Sequence, residues 1–143
     1  MKSNKGFTLI ELLAVIVILA VIALIATPMI LNVVETAREG AAKSSVLGYV
    51  DAVEKQIMIN QVDNEEGNEI ADGTYTIEAN GAIKSTATGA TAIPVDVKGE
   101  APKLPENGTM TITNGEITAT AFEMGKYTID YANGKATKHN AGE

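Results

Sequence analysis

The chain has 143 residues, a length that suits one domain of ordinary size. Its 11 basic and 18 acidic side chains give a formal charge of −7, which argues against direct binding of nucleic acid through the overall charge of the protein. There is no cysteine, so disulfides are excluded as supports of the fold.

The most distinctive stretch is apolar and lies near the N-terminus. No residue from Leu12 to Val34 is charged, and eleven of the fifteen residues 12–26 are Leu, Ile or Val. These eleven favour membrane insertion by about 3 to 7 kcal/mol, and about 20 apolar residues span a bilayer as a helix. Lys2 and Lys5 precede the stretch. The sequence therefore predicts a single-pass membrane helix with its N-terminus in the cytoplasm and its C-terminus outside.

Two other interpretations of this N-terminal region are a cleaved secretory signal peptide and a simple signal-anchor. A signal peptide carries small residues in an Ala-x-Ala arrangement at its cleavage site, and no such pair occurs between Ala14 and Ala26. A simple signal-anchor leaves the pair Gly6-Phe7 and the carboxylate of Glu11 unexplained.

Residues 5–34 resemble the type IV pilin and pseudopilin family. The resemblance is carried by Gly6, by the sequence Phe7-Thr8-Leu9-Ile10-Glu11 that follows it, and by a long apolar helix that contains Pro28. It implies that a prepilin peptidase cuts after Gly6 on the cytoplasmic side and methylates the new N-terminal Phe7. Because the cysteine pair of many Gram-negative pilins is absent, the chain resembles the Gram-positive branch, as a major pilin of the type IVa style.

The resemblance also implies roles for two residues inside the apolar helix. A carboxylate in hydrocarbon needs a proton or a cationic partner. For Glu11 this partner would be the methylated amine of Phe7 on a neighbouring subunit, and the pair would set the register of each incoming subunit. The alternative is that Glu11 lies wet and inert at the membrane interface. Pro28 is expected to kink the helix because it removes a backbone hydrogen bond.

After Pro28 the apolar pattern becomes amphipathic. Apolar residues at the spacing i, i+4, i+7 and i+11 fall on one stripe of a helix, namely Val46, Val50, Val53 and Ile57. We therefore predict one continuous helix over about residues 7–61.

The rest of the chain predicts antiparallel strands. Apolar residues alternate with Thr or charged residues over 74–79, 109–113, 117–121 and 127–131. Asn-Gly pairs at 80–81, 114–115 and 133–134 predict turns, and the last turn leads into a strand over 135–139. Residues 93–97 are expected to form a short edge strand because Pro94 cannot donate to a ladder. Residues 82–92 show no clear pattern.

The predicted fold class is α+β and pilin-like, with one long N-terminal helix packed against an antiparallel β-sheet, because the helix stripe is the long apolar partner that such a sheet needs. Four segments are expected. Residues 1–6 are the prepilin leader peptide, 7–34 the transmembrane and filament-core half of the helix, 35–61 its amphipathic second half, and 62–143 the globular β-sheet part of the headgroup.

No catalytic constellation is found, so the protein is not expected to be an enzyme or to need a cofactor. In the loop 62–73, four carboxylates suggest calcium, but their spacing does not fit an EF-hand and a solvated loop is preferred; they are Asp63, Glu65, Glu66 and Glu69. His139, the only histidine, is interpreted as a surface residue, since a chain without cysteine cannot build a usual zinc site. No metal site is therefore predicted.

Two short motifs in the loop before residue 109 are interpreted as coincidental. Leu104–Gly108 resembles the LPxTG sorting signal, but Asn107 replaces the Thr and no apolar tail follows. The triplet Asn107-Gly108-Thr109 matches the N-glycosylation pattern, which three residues match often by chance.

The function implied by the resemblance is that of a structural pilin. Identical subunits would polymerise through the N-terminal helix into a type IV pilus, a fimbrium at the cell surface used for adhesion, gliding or twitching motility, or surface association. The expected partners are other copies of the chain, prepilin peptidase, and the pilus assembly platform protein and ATPase. The protein would reside in the cytoplasmic membrane before assembly. The alternative is a pseudopilin of a short filament for DNA uptake (competence) or type II-like secretion.

Overall fold

The computed structural model describes residues 6–62, 70–97 and 104–140, and for residues 60–62 the backbone alone. These residues form a long helix and a seven-stranded antiparallel sheet, which confirms the predicted α+β, pilin-like layout. The elements are α1 (Leu9–Val62), β1 (Gly73–Ile77), β2 (Ile83–Ser85), β3 (Ala92–Ile93), β4 (Thr109–Thr113), β5 (Glu116–Met124), β6 (Tyr127–Ala132) and β7 (Lys135–Lys138). The chain divides into two compact units, Met1–Arg38 and Glu39–Glu143.

In the second unit, one stripe of α1 packs against the sheet. Val46, Val50 and Val53 are completely buried, as the spacing predicts, and Ile57 is partly buried against the same core. Burial of one such valine contributes roughly 1.5 to 3 kcal/mol. The core of this unit is therefore the interface between the helix stripe and the inner face of the sheet.

Tyr49 belongs to the same stripe, because it lies three residues after Val46 and four before Val53. Its ring is fully buried and lies edge-on to Phe122 of β5, with 5.8 Å between the ring centroids. Its hydroxyl donates to the carbonyl of Gly81 at 2.7 Å, in the turn between β1 and β2. A buried tyrosine usually finds such a partner, and here the bond ties the helix to the end of a hairpin.

The sheet has the strand order β3-β2-β1-β4-β5-β6-β7. Two of the predicted Asn-Gly turns connect its hairpins directly, β4 to β5 and β6 to β7. In both turns Asn and Gly have positive φ, 52° and 78° at Asn114-Gly115 and 52° and 74° at Asn133-Gly134. Positive φ at both central positions defines the type I′ turn, whose twist matches that of the flanking strands.

Strand β5 contains a β-bulge that the sequence pattern did not reveal. The register with β6 shifts between Ala119 and Phe122, and Ala121 has a φ of 56°. We expected Ala121 on the buried face with Ile117 and Ala119, but the extra residue moves the alternation by one position, so Phe122 is buried in its place. Asp130 holds the bulge, because its Oδ1 accepts the N–H of Ala121 at 2.8 Å.

Two further elements differ from the predictions. Residues 83–85, in the stretch without a clear pattern, form β2 because they pair with β1 from Ser85 to Ile83. The edge strand expected over 93–97 is only Ala92–Ile93, and the strand ends immediately before Pro94. The other edge of the sheet is β7, whose Lys135 and Lys138 are exposed.

Some predictions fall on residues that the structure does not describe. The carboxylates of the acidic loop, at 63, 65, 66 and 69, lie outside the described residues, as do Lys2 and Lys5. The loop with the sorting-like motif is described from Leu104 onward. There Pro105 is fully buried, and the backbone N–H of Glu106 donates to the carbonyl of Glu123 at 2.9 Å. This stretch therefore runs beside the last part of β5.

Candidate functional site: the N-terminal assembly segment

The residues around the predicted cleavage site precede the helix. Gly6, Phe7 and Thr8 are not helical, and α1 begins at Leu9 rather than at Phe7 as expected. The side chain of Phe7 is 92% exposed. The bond between Gly6 and Phe7 thus lies in an exposed, non-helical segment, an arrangement in which a peptidase can reach it.

Thr8 and Glu11 cap the N-terminus of α1. The backbone N–H of Glu11 donates to Thr8 Oγ1 at 3.3 Å, while Glu11 Oε2 accepts both the backbone N–H and the hydroxyl of Thr8 at 2.7 Å. This reciprocal arrangement is a capping box, which satisfies backbone donors that have no partner within the helix. The negative charge of Glu11 also lies at the positive end of the helix dipole.

The capping box is a structural feature of this segment that the sequence analysis missed. Its signal was present, because Thr8 and Glu11 have the spacing Thr-x-x-Glu directly ahead of an apolar run. From the sequence we expected Glu11 either to pair with a neighbouring subunit or to lie solvated at the membrane interface, and in neither case to bond within its own chain. The structure gives its carboxylate local partners, so Glu11 holds a fixed position at the start of the helix within one chain.

In the first unit, the apolar side chains of α1 are exposed on every face. The exposed fraction of each Leu, Ile, Val and Met from Leu9 to Val34 lies between 39% and 82%. Among the described residues, this is the one helix that is long and apolar enough to cross a membrane. A helix that is apolar all round requires apolar surroundings. Such surroundings are a lipid bilayer or a set of similar helices.

The helix continues through Pro28, the site of the predicted kink. Proline lacks the N–H that would donate to the carbonyl four residues earlier. In the adjacent position, the hydroxyl of Thr27 donates to the carbonyl of Ala23 at 2.7 Å. The carbonyl that Pro28 leaves without a donor is that of Leu24, so the bond from Thr27 does not replace it. A threonine hydroxyl bonded to the carbonyl four residues earlier is a known source of helix bending.

Polar contacts in the second unit gather around Asp130. Besides the bulge at Ala121, its carboxylate contacts Nδ1 of His139 at 2.8 and 2.9 Å from its two oxygens. His139 is thus partly buried and paired, which corrects our interpretation of it as a simple surface residue. In the described part of the chain, no group of three or more His, Asp or Glu side chains is placed to hold a metal ion.

Two tyrosines in this unit have pKa values above the ordinary value of 10.0. Burial raises the pKa of the Tyr49 hydroxyl. Burial also raises the pKa of Tyr131, and the negative charges of Glu54 and Asp51 add to the effect. Both groups are therefore neutral at physiological pH and act as structural groups rather than as acids or bases.

The comparisons with known proteins bear on the N-terminal segment. Residues 1–27 match the family model of the prokaryotic N-terminal methylation motif. No curated protein and no solved structure matches the chain. The leader implies processing by a prepilin peptidase and filament formation after assembly in the membrane, and the long apolar helix is consistent with membrane anchoring before assembly. The motif is the class III signal peptide of type IV pilins and pseudopilins, which are structural proteins rather than enzymes, and it supports a protein of that type.

Proposed function

We propose that the chain is the structural subunit of a type IV pilus and that its copies polymerise through α1 into a filament at the cell surface. The observation that carries this proposal is the apolar half of α1, which exposes every large side chain from Leu9 to Val34. A membrane covers these side chains before assembly, and the same half of the helix from neighbouring copies covers them in a filament. Adhesion, gliding or twitching motility is the use we assign to such a filament.

The maturation steps follow from the N-terminal segment. Prepilin peptidase cuts between Gly6 and Phe7 on the cytoplasmic side and methylates the amine of Phe7, and an assembly platform with its ATPase then draws the subunit out of the membrane. The exposed, non-helical backbone before Leu9 supports cleavage at this bond. The mass of the subunit purified from filaments tests the proposal, because it should lack residues 1–6 and gain one methyl group. A subunit that retains Met1 would overturn the assignment.

For Glu11 we propose two successive roles. Within one chain its carboxylate caps α1 through Thr8, and this capping contact survives cleavage because Thr8 stays in the mature chain. During assembly the same carboxylate pairs with the methylated amine of Phe7 on a neighbouring subunit. Because the cap holds the carboxylate in place, little further ordering is needed when the incoming amine arrives.

A pair of variants separates these roles. Glutamine is the accepted substitute for glutamate in a capping box, so Glu11→Gln keeps the cap and removes the charge, whereas Glu11→Val removes both. If pairing with the amine drives assembly, both variants should accumulate as mature subunit in the membrane with few filaments. Filaments are counted by electron microscopy while the mature subunit is quantified by blotting.

The outcome for Glu11→Gln decides the question. Normal piliation with Glu11→Gln but not with Glu11→Val would show that Glu11 acts only as a helix cap. Normal piliation with both variants would show that Glu11 is solvated and has no role at the membrane interface. Thr8→Val is the matched control, because it removes the hydroxyl of the cap and leaves the charge of Glu11. Under the pairing proposal, this variant should form more filaments than Glu11→Gln.

A further inference from the structure

The chain contains four Asn-Gly pairs, at 80–81, 107–108, 114–115 and 133–134. Three of them form the turns between paired strands, where their Gly residues have positive φ. The fourth lies outside any hairpin, immediately before β4. Turn formation therefore accounts for three pairs and leaves Asn107-Gly108 to be explained.

Packing explains the glycine of this pair. Gly108 has a φ of 142°, and a Cβ atom at this position would lie 2.4 Å from Cδ1 and 3.0 Å from Cα of Phe122. The backbone on both sides is also held, since the carbonyl of Asn107 accepts the N–H of Glu123 at 3.0 Å and that of Gly108 accepts the N–H of Ile77 at 3.0 Å. No residue with a side chain fits at 108 without displacing Phe122.

The side chain of Asn107 is arranged differently. It is exposed, and its Oδ1 accepts the backbone N–H of Gly108 at 2.8 Å. The amide group of Asn107 is therefore folded back onto the peptide nitrogen of the next residue. A contact of this kind brings together the two groups that react when asparagine deamidates, and proximity of reacting groups within one molecule is a large source of rate.

We propose that Asn107 is a site of spontaneous deamidation and that the fold makes it the fastest of the four Asn-Gly pairs. The peptide nitrogen of Gly108 attacks Cγ of Asn107 and forms an N–Cγ bond. The Cγ–Nδ2 bond breaks, and Nδ2 leaves as ammonia with the proton that the peptide nitrogen gives up. Water then opens the resulting five-membered imide at either carbonyl, giving aspartate or an isoaspartyl linkage at 107. Water is the only co-reactant.

The other three pairs are held against this reaction. At Asn80 the nitrogen that would attack is occupied, because Gly81 N–H donates to the carbonyl of Glu78 at 2.8 Å, and Asn80 Oδ1 instead accepts the N–H of Ala82 at 3.1 Å. Asn114 and Asn133 form two-residue turns bracketed by the strand pairs 113–116 and 132–135. In the described turns 114–115 and 133–134, no bond joins the N–H of the glycine to the asparagine side chain, so the contact that brings the reacting groups together at Asn107 is missing there.

The two products have different structural consequences. Each adds a carboxylate to an already acidic chain. Aspartate leaves the backbone unchanged, so the contacts of Gly108 persist. The isoaspartyl linkage inserts one additional backbone carbon, which displaces Gly108 from Phe122 and breaks the bond from Glu123 to the carbonyl of residue 107. A protein that persists for a long time without replacement would therefore accumulate a loosened sheet at this point.

The test uses the full chain in detergent micelles, aged in a mildly alkaline buffer and digested at acidic pH to avoid artefacts. Mass spectrometry of the peptides gives the deamidated fraction at each of the four sites, and enzymatic methylation detects isoaspartate. We expect Asn107 to react several-fold faster than each of the other three. A rate at Asn107 equal to or below that of any other pair would overturn the proposal. It does not depend on the proposed function, because filament formation is not measured.

Two controls attribute the effect to the fold. In concentrated urea the advantage of Asn107 should disappear, and an advantage that persists unchanged would show that the local sequence causes it, against the proposal. Asn107→Gln should abolish the reaction in this peptide, because the longer side chain would have to close a six-membered ring, and the thermal midpoint should stay unchanged. Asn114→Gln is the matched variant, and it should leave the rate at Asn107 as it is.

Discussion

The two halves of α1 contain the same kinds of apolar residue in different surroundings. From Leu9 to Val34, no Leu, Ile, Val or Met is less than 39% exposed, whereas Val46, Val50 and Val53 are completely buried. In the second half, polar residues interrupt the apolar ones and leave a single stripe, which one sheet can cover. In the first half only Glu11, Thr27 and Asn32 are polar, too few to confine the apolar residues to one stripe, so no single partner of ordinary size can cover the helix. The arrangement of polar residues, rather than hydrophobicity itself, decides which half packs within its own chain.

The largest expected effect comes from placing a charge in each half. Val53→Asp puts an unpaired carboxylate under the sheet and should cost more than about 4 kcal/mol, a large part of the stability of an ordinary domain. Leu19→Asp changes a side chain that is 58% exposed and should leave the second unit folded. It should instead oppose membrane insertion by roughly 2.5 to 3.5 kcal/mol.

Circular dichroism of the sheet and fractionation of membranes measure the two outcomes separately. If Val53→Asp kept the thermal midpoint of the parent, the contrast between the two halves would not hold. The same conclusion would follow if Leu19→Asp unfolded the sheet.

The next largest effect tests the packing of the second unit, at the contact between Gly108 and Phe122. Gly108→Ala should destabilise the second unit by roughly 2 to 6 kcal/mol, because the new methyl group meets Phe122 and the backbone is strained at a φ of 142°. Gly115→Ala is the matched control, since Gly115 has a φ of 78° with no atom near the added methyl group. It should cost only about 1 to 2 kcal/mol of backbone strain. Equal shifts of the thermal midpoint would mean that contact with Phe122 contributes nothing.

These elements differ in how far the sequence could predict them. The hairpins at 114–115 and 133–134 were predictable because Asn-Gly specifies the turn locally. The helix stripe was predictable because its spacing matches the helical period. The bulge was not, because Ala121 carries no signal for positive φ and its cause, a bond from its N–H to Asp130, joins residues nine positions apart. Strand β2 was missed for a similar reason, since its three residues are defined by pairing with β1.

At the N-terminal site, by contrast with the bulge and β2, neighbouring residues determine the structure. The spacing of Thr8 and Glu11 predicts the cap from four residues alone, and the observed distances agree with it. The same carboxylate also suits an ion pair with a neighbouring subunit, so the sequence offers two partners for Glu11 and does not choose between them. The pairing of His139 with Asp130, by contrast, depends on the register of β6 and β7, which fixes which side chains meet across the strands.

A smaller effect concerns the bond between the helix and the first hairpin. Tyr49→Phe keeps the ring and leaves the buried carbonyl of Gly81 without its donor, which should cost about 1 to 3 kcal/mol at neutral pH. Because burial raises the pKa of Tyr49 in the folded state, the unfolded chain ionises first. The stabilisation is complete below the ordinary pKa of 10.0 and is lost as the pH rises beyond it.

The parent should therefore lose its advantage over Tyr49→Phe by up to about 1.4 kcal/mol for each pH unit above this value. Urea unfolding of both chains across the alkaline range, followed by circular dichroism, measures the difference. An advantage that stays constant with pH would mean that Tyr49 ionises equally in the folded and unfolded states.

The smallest expected effect is at the bulge. Ala121 has a φ of 56°, a conformation that costs roughly 1 to 2 kcal/mol for a residue with a Cβ atom. Ala121→Gly removes this strain but gives the unfolded chain more freedom, worth about 0.5 to 1 kcal/mol. We expect a net stabilisation of up to about 1 kcal/mol. Ala119→Gly, two residues earlier in a regular part of the strand, should be destabilising. A lower thermal midpoint for Ala121→Gly would show that the bulge is not strained.

The two edge strands of the sheet, β3 and β7, influence whether copies of this protein pair with one another through their sheets when they are close together. An open strand edge is a template on which another chain can add a strand, and a densely populated membrane or filament brings many such edges close to one another. At one end β3 has only two residues and is followed by Pro94, which has no N–H to offer. At the other end the exposed Lys135 and Lys138 would repel the same strand of a second copy. Edge-to-edge pairing of sheets from different copies is therefore disfavoured, and an assembly that uses the helix, as we propose, avoids competition from the sheet edges.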